Sequence, residues 1–300
     1  GRIENVTLAS CARQPTQVTD ALLIEDGIAD EGCRLGAGVQ ARRFVLGERV
    51  TLESGVRLSH TVVGDNSTIA CCEVLHNLIF PLHEQHHNNS FLIATTLMGQ
   101  SNIAAGATIG SNHNSRAPDG EILAGRGFWP GLCASFKHNC RFASHVLVAK
   151  GSYPAELNVP MPFSLLSLGD GEDGLMLMPA WMLMHNMYAV QRNQWKFRDR
   201  DRRVHRRQHI VIEAFAPDTA EEILHALALL EEWVGTKLGG AEPERRRGRR
   251  LLQEQPAEAD RLDLRVKGIE NSRRLTRLLK PGTAYVVYRE MLFHYCVMEL

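Results

Sequence analysis

A beat of six residues constrains this chain more than any other feature. Large apolar side chains recur at Leu46, Leu52 and Leu58, slip by one to Val63, Ile69 and Leu75, and return at Phe91, Leu97, Ile103 and Ile109. The beat resumes at Phe136, Phe142 and Val148, with Pro130 in the preceding slot. A period of six suits neither an α-helix nor an alternating strand. It marks a parallel β-helix, in which three short strands complete a coil of about 18 residues. One inward aliphatic per hexad stacks on its counterpart in the next coil, while Gly, Asn and Asp serve the tight corners. Backbone hydrogen bonds run from coil to coil, so no coil is stable alone.

The expected fold is therefore mainly β: a β-helix over residues 1–168, with loop insertions at 81–90 and 115–129, followed by an α-helical region over 175–300. The three prolines of Tyr153–Pro162 end the solenoid. Beyond them, Trp181, Met184, Tyr188 and Trp195 share one face of a helix spanning 180–197. Asp218 with Glu221, just after Pro217, gives a capping-box signal. It opens a helix whose stripe is Ile223, Leu227, Leu230 and Val234. Residues 239–262, rich in Arg, Glu, Gly and Pro, read as a mobile loop. A last helix over 283–299 places Ala284, Val287, Tyr288, Met291 and Tyr295 on one side.

Thirty-four basic residues balance 34 acidic ones. That leaves no global electrostatic reason to expect nucleic acid or an anionic membrane as partner. The Arg-rich stretches 197–207 and 244–250 read as solvated, ion-paired surface. Seven Cys without a C-x-x-C spacing read as reduced, buried thiols of a cytoplasmic protein. No apolar run reaches the roughly 18 residues of a membrane span, and the opening residues do not form a signal peptide. The first residue is Gly, inside a strand-like pattern, which suggests a longer natural polypeptide.

The runs VGDNSTIACCEV, IFPLHEQHHNNSFLIA, GQSNIAAGATIGSNHNSR, GRGFWPGL and YPAELNVP resemble a bacterial family of unknown function, the one numbered four-nine-five-four among the DUF families. That family lies within the left-handed β-helix, hexapeptide-repeat superfamily, whose better-known members are acyltransferases and sugar-nucleotide enzymes. The resemblance covers residues 20–235 and, more loosely, 265–300. It implies a left-handed coil, against the usual right-handed crossover. It also implies a homotrimer with ligands in clefts between neighbouring β-helices, a His acting as base, and a natural protein longer than this chain. It implies no particular reaction.

Three constellations could carry chemistry. The segment His83-Glu84-Gln85-His86-His87 matches H-E-x-x-H, but that zinc motif works on a helix and both flanks here are β. His83 and His86 remain candidate ligands for a divalent metal, His87 a candidate catalytic group and Asn88 a ligand-binding one. In the second constellation, His113 is a candidate general base flanked by Asn112 and Asn114. Arg116 and Arg126 are forked donors for a phosphate or carboxylate, and Trp129 is a flat apolar surface for a ring. In the third, Lys137, His138 and Asn139 offer a cation, a second base and an amide. The leading reading is a transferase moving an acyl or nucleotidyl group onto a sugar or sugar-nucleotide, with acyl-CoA or a sugar-nucleotide as substrate. Two others stay open: a metal-dependent lyase or hydrolase of the β-helix carbonic anhydrase kind, and a non-catalytic assembly or ligand-binding module.

Overall fold

The computed structural model describes residues 1–110, 121–136, 139–169 and 174–300. It is a parallel β-solenoid with a C-terminal helical segment. The chain divides into two compact units. One comprises Gly1–Cys140, Lys150–Glu156 and Trp195–Ile212; the other comprises Arg141–Ala149, Leu157–Gln194 and Glu213–Leu300.

In the first unit, strands Leu23–Ala29, Gln40–Leu46 and Arg57–Val63 stack in parallel, with Leu23 opposite Gln40 and Gln40 opposite Arg57. A coil here therefore falls one short of three full hexads. Each strand bends at a single residue of left-handed φ: Asp26 (53°), Arg43 (51°) and His60 (50°). Pairing continues on both sides of the bend, so the ladder holds a conformation that side-chain-bearing residues ordinarily avoid. His76 (55°) and Ala94 (50°) occupy the same bend in later coils. The stretch before the bend forms a first face and the stretch after it a second. Short strands Gln17–Val18, Arg34–Leu35, Thr51–Glu53, Thr68–Ala70 and Glu84–Gln85 form a third.

The core is one ladder of side chains per face. On the first face Ile24, Ala41, Leu58, Val74, Leu92 and Ile109 are all buried. Leu75 and Phe91, expected from the beat of six, are only half-buried. The coils here are unequal: the step from Arg57 to Glu73 is shorter than the step from Glu73 to Phe91. A fixed count then lands one position off, and in a strand one position changes the side. On the second face Gly27 lies opposite Phe44. A Cβ at Gly27 would sit 2.3 Å from the Phe44 ring, so the missing side chain is what lets that ring fill the coil.

In the second unit, Leu147–Val148 pairs in parallel with Leu165–Leu168, which pairs antiparallel with Leu175–Met178. Strands Thr276–Leu278 and Leu264–Val266 extend this sheet. The helices are α1 (Trp181–His185), α2 (Met187–Arg200), α3 (Pro217–Leu238), α4 (Glu244–Glu254), α5 (Pro256–Ala259) and α6 (Pro281–Met298).

Three expectations are corrected here. The helix expected over 180–197 breaks at Asn186 between α1 and α2. The break changes the phase: Met182, Leu183, Ala189 and Val190 are buried, whereas Tyr188 and Trp195 are 76% and 67% exposed. At the start of α3, Asp218 lies inside the first turn; the Ala216 N–H donates to Thr219 Oγ1 at 2.9 Å, so Thr219 closes the cap. The stretch expected as a mobile loop contains α4 and α5. Gly235 and Gly248 let α3 and α4 meet almost backbone to backbone: a Cβ at Gly248 would lie 1.8 Å from the Glu231 carbonyl oxygen. Arg247 is buried and donates to the carbonyls of Gly235 (2.9 Å) and Gly240 (3.0 Å).

Candidate functional site

The bend between the first and second faces carries a row of polar side chains, one from each coil. Asn5, Asp26, Arg43, His60 and His76 follow one another there, one per coil, all with left-handed φ. Asn5 Nδ2 donates to Asp26 Oδ1 at 2.8 Å. Arg43 Nη1 lies 2.9 Å from His60 Nε2, and Ser59 Oγ lies 2.7 Å from His60 Nδ1. A guanidinium only donates, so Nε2 accepts and the ring proton sits on Nδ1. His60 and His76 stack at 4.7 Å with an interplanar angle of 13°. Partial desolvation, then the neighbouring His76, Arg43 and Arg42, push the His60 pKa below the usual imidazole value.

Beside this ladder runs an outward row on the second face. Ile28 pairs with Val45, Val45 with Val62, Val62 with Leu78, Leu78 with Thr96 and Thr96 with Leu123. The five aliphatics of that row are 42–51% exposed. A groove of about 510 Å³ lies where ladder and row meet, lined by Asp26, Arg43, His60, Ile28, Val45 and Val62 among others. Four successive exposed aliphatics, Ile28 to Leu78, with Leu123 beyond Thr96, mark an interaction surface rather than the scattered apolar residues of an ordinary exterior.

The His-rich segment divides between the inside of the coil and its surface. His83 is fully buried, its Nδ1 2.9 Å from Ser101 Oγ and its Nε2 3.3 Å from Gln85 Oε1. Burial pushes its pKa down to about 4. Gln85, which pairs with Ile69 on the third face, donates to Ser90 Oγ at 3.1 Å. His83, Gln85, Ser90 and Ser101 thus form a satisfied polar knot inside the coil, and the role of metal ligand expected for His83 is corrected to that of core residue. Glu84 points the other way and pairs with Lys196 (2.7 Å) and Arg200 (3.0 Å). Burial opposes its ionisation, but those two cations prevail and hold its pKa below the usual carboxylate range. His86 lies 4.0 Å from Glu84 and its ring is tilted against that of His87 at 4.5 Å. Asn88 is exposed, and its Oδ1 accepts from the Asn89 N–H at 2.8 Å, closing a turn.

Arg126 is buried, with Nη1 3.4 Å from the Val211 carbonyl oxygen. Its expected role as an open anion clamp is therefore corrected: it packs under the Trp195–Ile212 segment. Trp129 is half-buried in Trp129–Pro130, and Asn139 is exposed. His113, Asn112, Asn114, Arg116, Lys137 and His138 lie outside the described residues.

The Trp195–Ile212 segment itself is clamped onto a second ladder, Glu31, Glu48 and Asp65, which repeats once per coil. Arg203 reaches Asp65 and Asp201, both at 2.8 Å, with only 4% of its side chain exposed. Val204 and His205 N–H donate to Glu48 Oε1. Burial opposes the charge on Asp201, yet hydrogen bonds from Arg203 and Asn66 outweigh it and bring its pKa to about 2. At Asp65 burial wins and the pKa is raised in spite of Arg203. The solvated surface expected for 197–207 is therefore corrected to a partly buried clamp.

In the second unit, Asp218, Glu221, Glu222 and His225 share one face of α3 and line a groove of about 470 Å³ with Arg141 and Asn158. Glu222 accepts from the Ser144 N–H (2.9 Å) and Oγ (3.2 Å). One carboxylate of this groove is thus structural.

Neither of the two ladders nor this groove was among the candidates drawn from sequence. A signal for the ladders existed: Asp26, Arg43 and His60 are evenly spaced, and Glu31, Glu48 and Asp65 keep the same spacing.

No family model matches the chain. An uncharacterized protein of Treponema pallidum (strain Nichols) is 50% identical over 299 residues, a match that takes in 100% of this chain and 41% of the relative. The chain thus spans about two fifths of the length of the curated relative it matches. Among solved structures, it is similar to a UDP-N-acetylglucosamine acyltransferase of Francisella novicida at 12% identity and a TM-score of 0.42, over 94% of this chain and 96% of that one. A UDP-N-acetylglucosamine O-acyltransferase of Moraxella catarrhalis is 12% identical with a TM-score of 0.20, over 76% and 91%. The fold assignment stands on the strand ladders themselves.

Proposed function

We propose that this chain is part of a β-helix transferase that moves an acyl or nucleotidyl group onto a sugar or sugar-nucleotide, at a cleft formed when copies pack through the Ile28–Leu123 row, as a homotrimer. One observation carries the reading: a run of four exposed aliphatics, Ile28, Val45, Val62 and Leu78, lies directly beside a ladder holding an imidazole and a guanidinium. A second copy covering the row would turn the open groove into a walled cleft, where water is excluded and charges act more strongly. The quoted sequence runs support membership in the hexapeptide-repeat superfamily.

In this reading Arg43 binds the anionic group of donor or acceptor, and in doing so leaves His60 Nε2. That lone pair takes the proton from the sugar hydroxyl as its oxygen attacks the acyl carbon. The new C–O bond forms, the thioester C–S bond breaks, and the proton passes to the departing thiolate. Ser59 keeps the other ring proton on Nδ1 throughout. His113 belongs to this reading as an alternative base. Arg116, Lys137 and His138 belong to the same reading.

The test uses the assembled oligomer with acyl-CoA and UDP-N-acetylglucosamine, together and separately. Thermal stabilisation by either, and thiol release that requires both, support the reading. His60→Ala lowers turnover by at least about 100-fold, the usual worth of a general base. Val62→Glu breaks the oligomer and the activity together. Absence of both stabilisation and thiol release, with nucleotidyl donors equally inert, overturns the proposal.

A further inference from the structure

Cys11, Glu31 and His205 come together from three separate parts of the first unit. Cys11 Sγ lies 4.0 Å from His205 Nε2, and His205 Nε2 lies 2.8 Å from Glu31 Oε2. The three donor atoms all fall within 4.8 Å of one another, the only such trio of His, Cys or acidic donors among the described residues. Glu31 Oε2 is sealed from solvent and makes no aligned hydrogen bond. The imidazole edge is close enough to donate, but the direction of its N–H misses that oxygen. Two donors crowd one space without satisfying each other.

We propose that Cys11, Glu31 and His205 form a site for a zinc-type divalent ion, with a fourth position open. A thiolate, an imidazole and a carboxylate suit zinc, and the thiolate disfavours magnesium and calcium. Tetrahedral zinc with ordinary bond lengths would place sulfur about 3.6 Å from the imidazole nitrogen and about 3.4 Å from nitrogen to carboxylate oxygen. The Cys11–His205 and His205–Glu31 separations, 4.0 Å and 2.8 Å, lie within about 0.6 Å of those values. Thiolate and carboxylate together neutralise the ion.

The surroundings are organised for it. Cys11 sits in a tight turn closed by paired backbone bonds with Gln14. The Gln14 side chain donates to the Glu31 carbonyl oxygen (3.0 Å) and to Glu48 Oε1 (2.8 Å), and accepts from the Val204 N–H (3.0 Å). One residue thus orients all three ligand-bearing segments, the outer-shell role that metal sites require. Arg207 neighbours the other Glu31 oxygen, Oε1, at 3.6 Å, leaving Oε2 for the ion. Bound metal would rivet the Trp195–Ile212 segment to the N-terminal turn.

The experiment strips the purified full chain with a chelator and reloads it with zinc alone, then with cobalt(II) alone. The expected results are one zinc per chain, and a tetrahedral cobalt spectrum with a thiolate charge-transfer band. Cys11→Ser and His205→Ala weaken binding by at least about 100-fold, more than loss of an outer-shell partner costs. Cys133→Ser and the double variant His86→Ala/His87→Ala leave it unchanged. In the wild type, zinc slows alkylation of Cys11 but not of the exposed Cys296, a readout independent of how the variants fold. Sub-stoichiometric zinc, an octahedral cobalt spectrum, equal alkylation with and without zinc, or loss of binding in the His86/His87 variant instead, each overturns the proposal.

Discussion

Two ladders in the first unit share one period and meet different fates. Asp26, Arg43 and His60 stand at the bend between faces; Glu31, Glu48 and Asp65 stand at the next corner of the same coils. The second ladder is sealed: Trp195–Ile212 lies across it, Arg203 is buried between two carboxylates, and Glu48 accepts from the backbone of the covering segment. The first stays open, with a groove beside it and a bare aliphatic row. A solenoid repeats a side chain at fixed intervals, so it can build a charged row at any corner with few changes. What covers the row decides whether its charges serve cohesion or chemistry.

If the sealed ladder is structural, breaking its centre should cost the most. Arg203→Ala leaves Asp65 buried without its cation, and stability should fall by about 3–5 kcal/mol in urea unfolding, as for other broken buried pairs. Hydrogen exchange should rise selectively over 195–212. A loss below about 1 kcal/mol would show the clamp to be an ordinary surface pair. The polar knot inside the coil comes next. Ser101→Ala strips His83 Nδ1 of its partner in a site that water does not reach, at about 1–3 kcal/mol. No loss at all would mean that the imidazole finds another partner.

A smaller effect is pH dependence of the clamp. Asp201 has a folded pKa of about 2, below its unfolded value near 3.9. Its contribution is complete above the unfolded value and disappears as pH falls through the folded one. The stability difference between wild type and Asp201→Asn should therefore be largest above about pH 4 and shrink toward pH 2. Asp65 works in the opposite sense, because burial raises its pKa, so total stability changes less than the difference does. A difference independent of pH would show that Asp201 acts through packing alone.

The fold was legible because the hexad pattern reports burial directly: Leu52, Ile69, Leu97 and Ile109 are all buried. Register was legible only approximately, since coils of unequal length follow one another and a count of six cannot track them. The site was less legible. His83 looked like a ligand because composition does not say which side of a strand a residue faces; it faces inward. Arg247 and Gly248 looked like loop residues because the close approach of α3 and α4 appears only once both helices exist. Arg203 looked solvated because its partners, Asp65 and Asp201, are brought together by tertiary structure.

The open ladder offers the sharpest and smallest test. His60 holds a left-handed conformation that costs a side-chain-bearing residue about 1–2 kcal/mol relative to right-handed backbone. Glycine there would relieve that strain but adds freedom to the unfolded chain, a penalty of about 0.5–1 kcal/mol. The two terms leave His60→Gly between neutral and about 1.5 kcal/mol more stable. It removes the contacts to Ser59, Arg43 and His76, all of them exposed and of little net worth. A variant at least as stable as wild type, equally oligomeric and inactive in thiol release would show that the imidazole is kept at this bend for chemistry. A loss of several kcal/mol would make the open ladder as structural as the sealed one, and the contrast between the two corners would collapse.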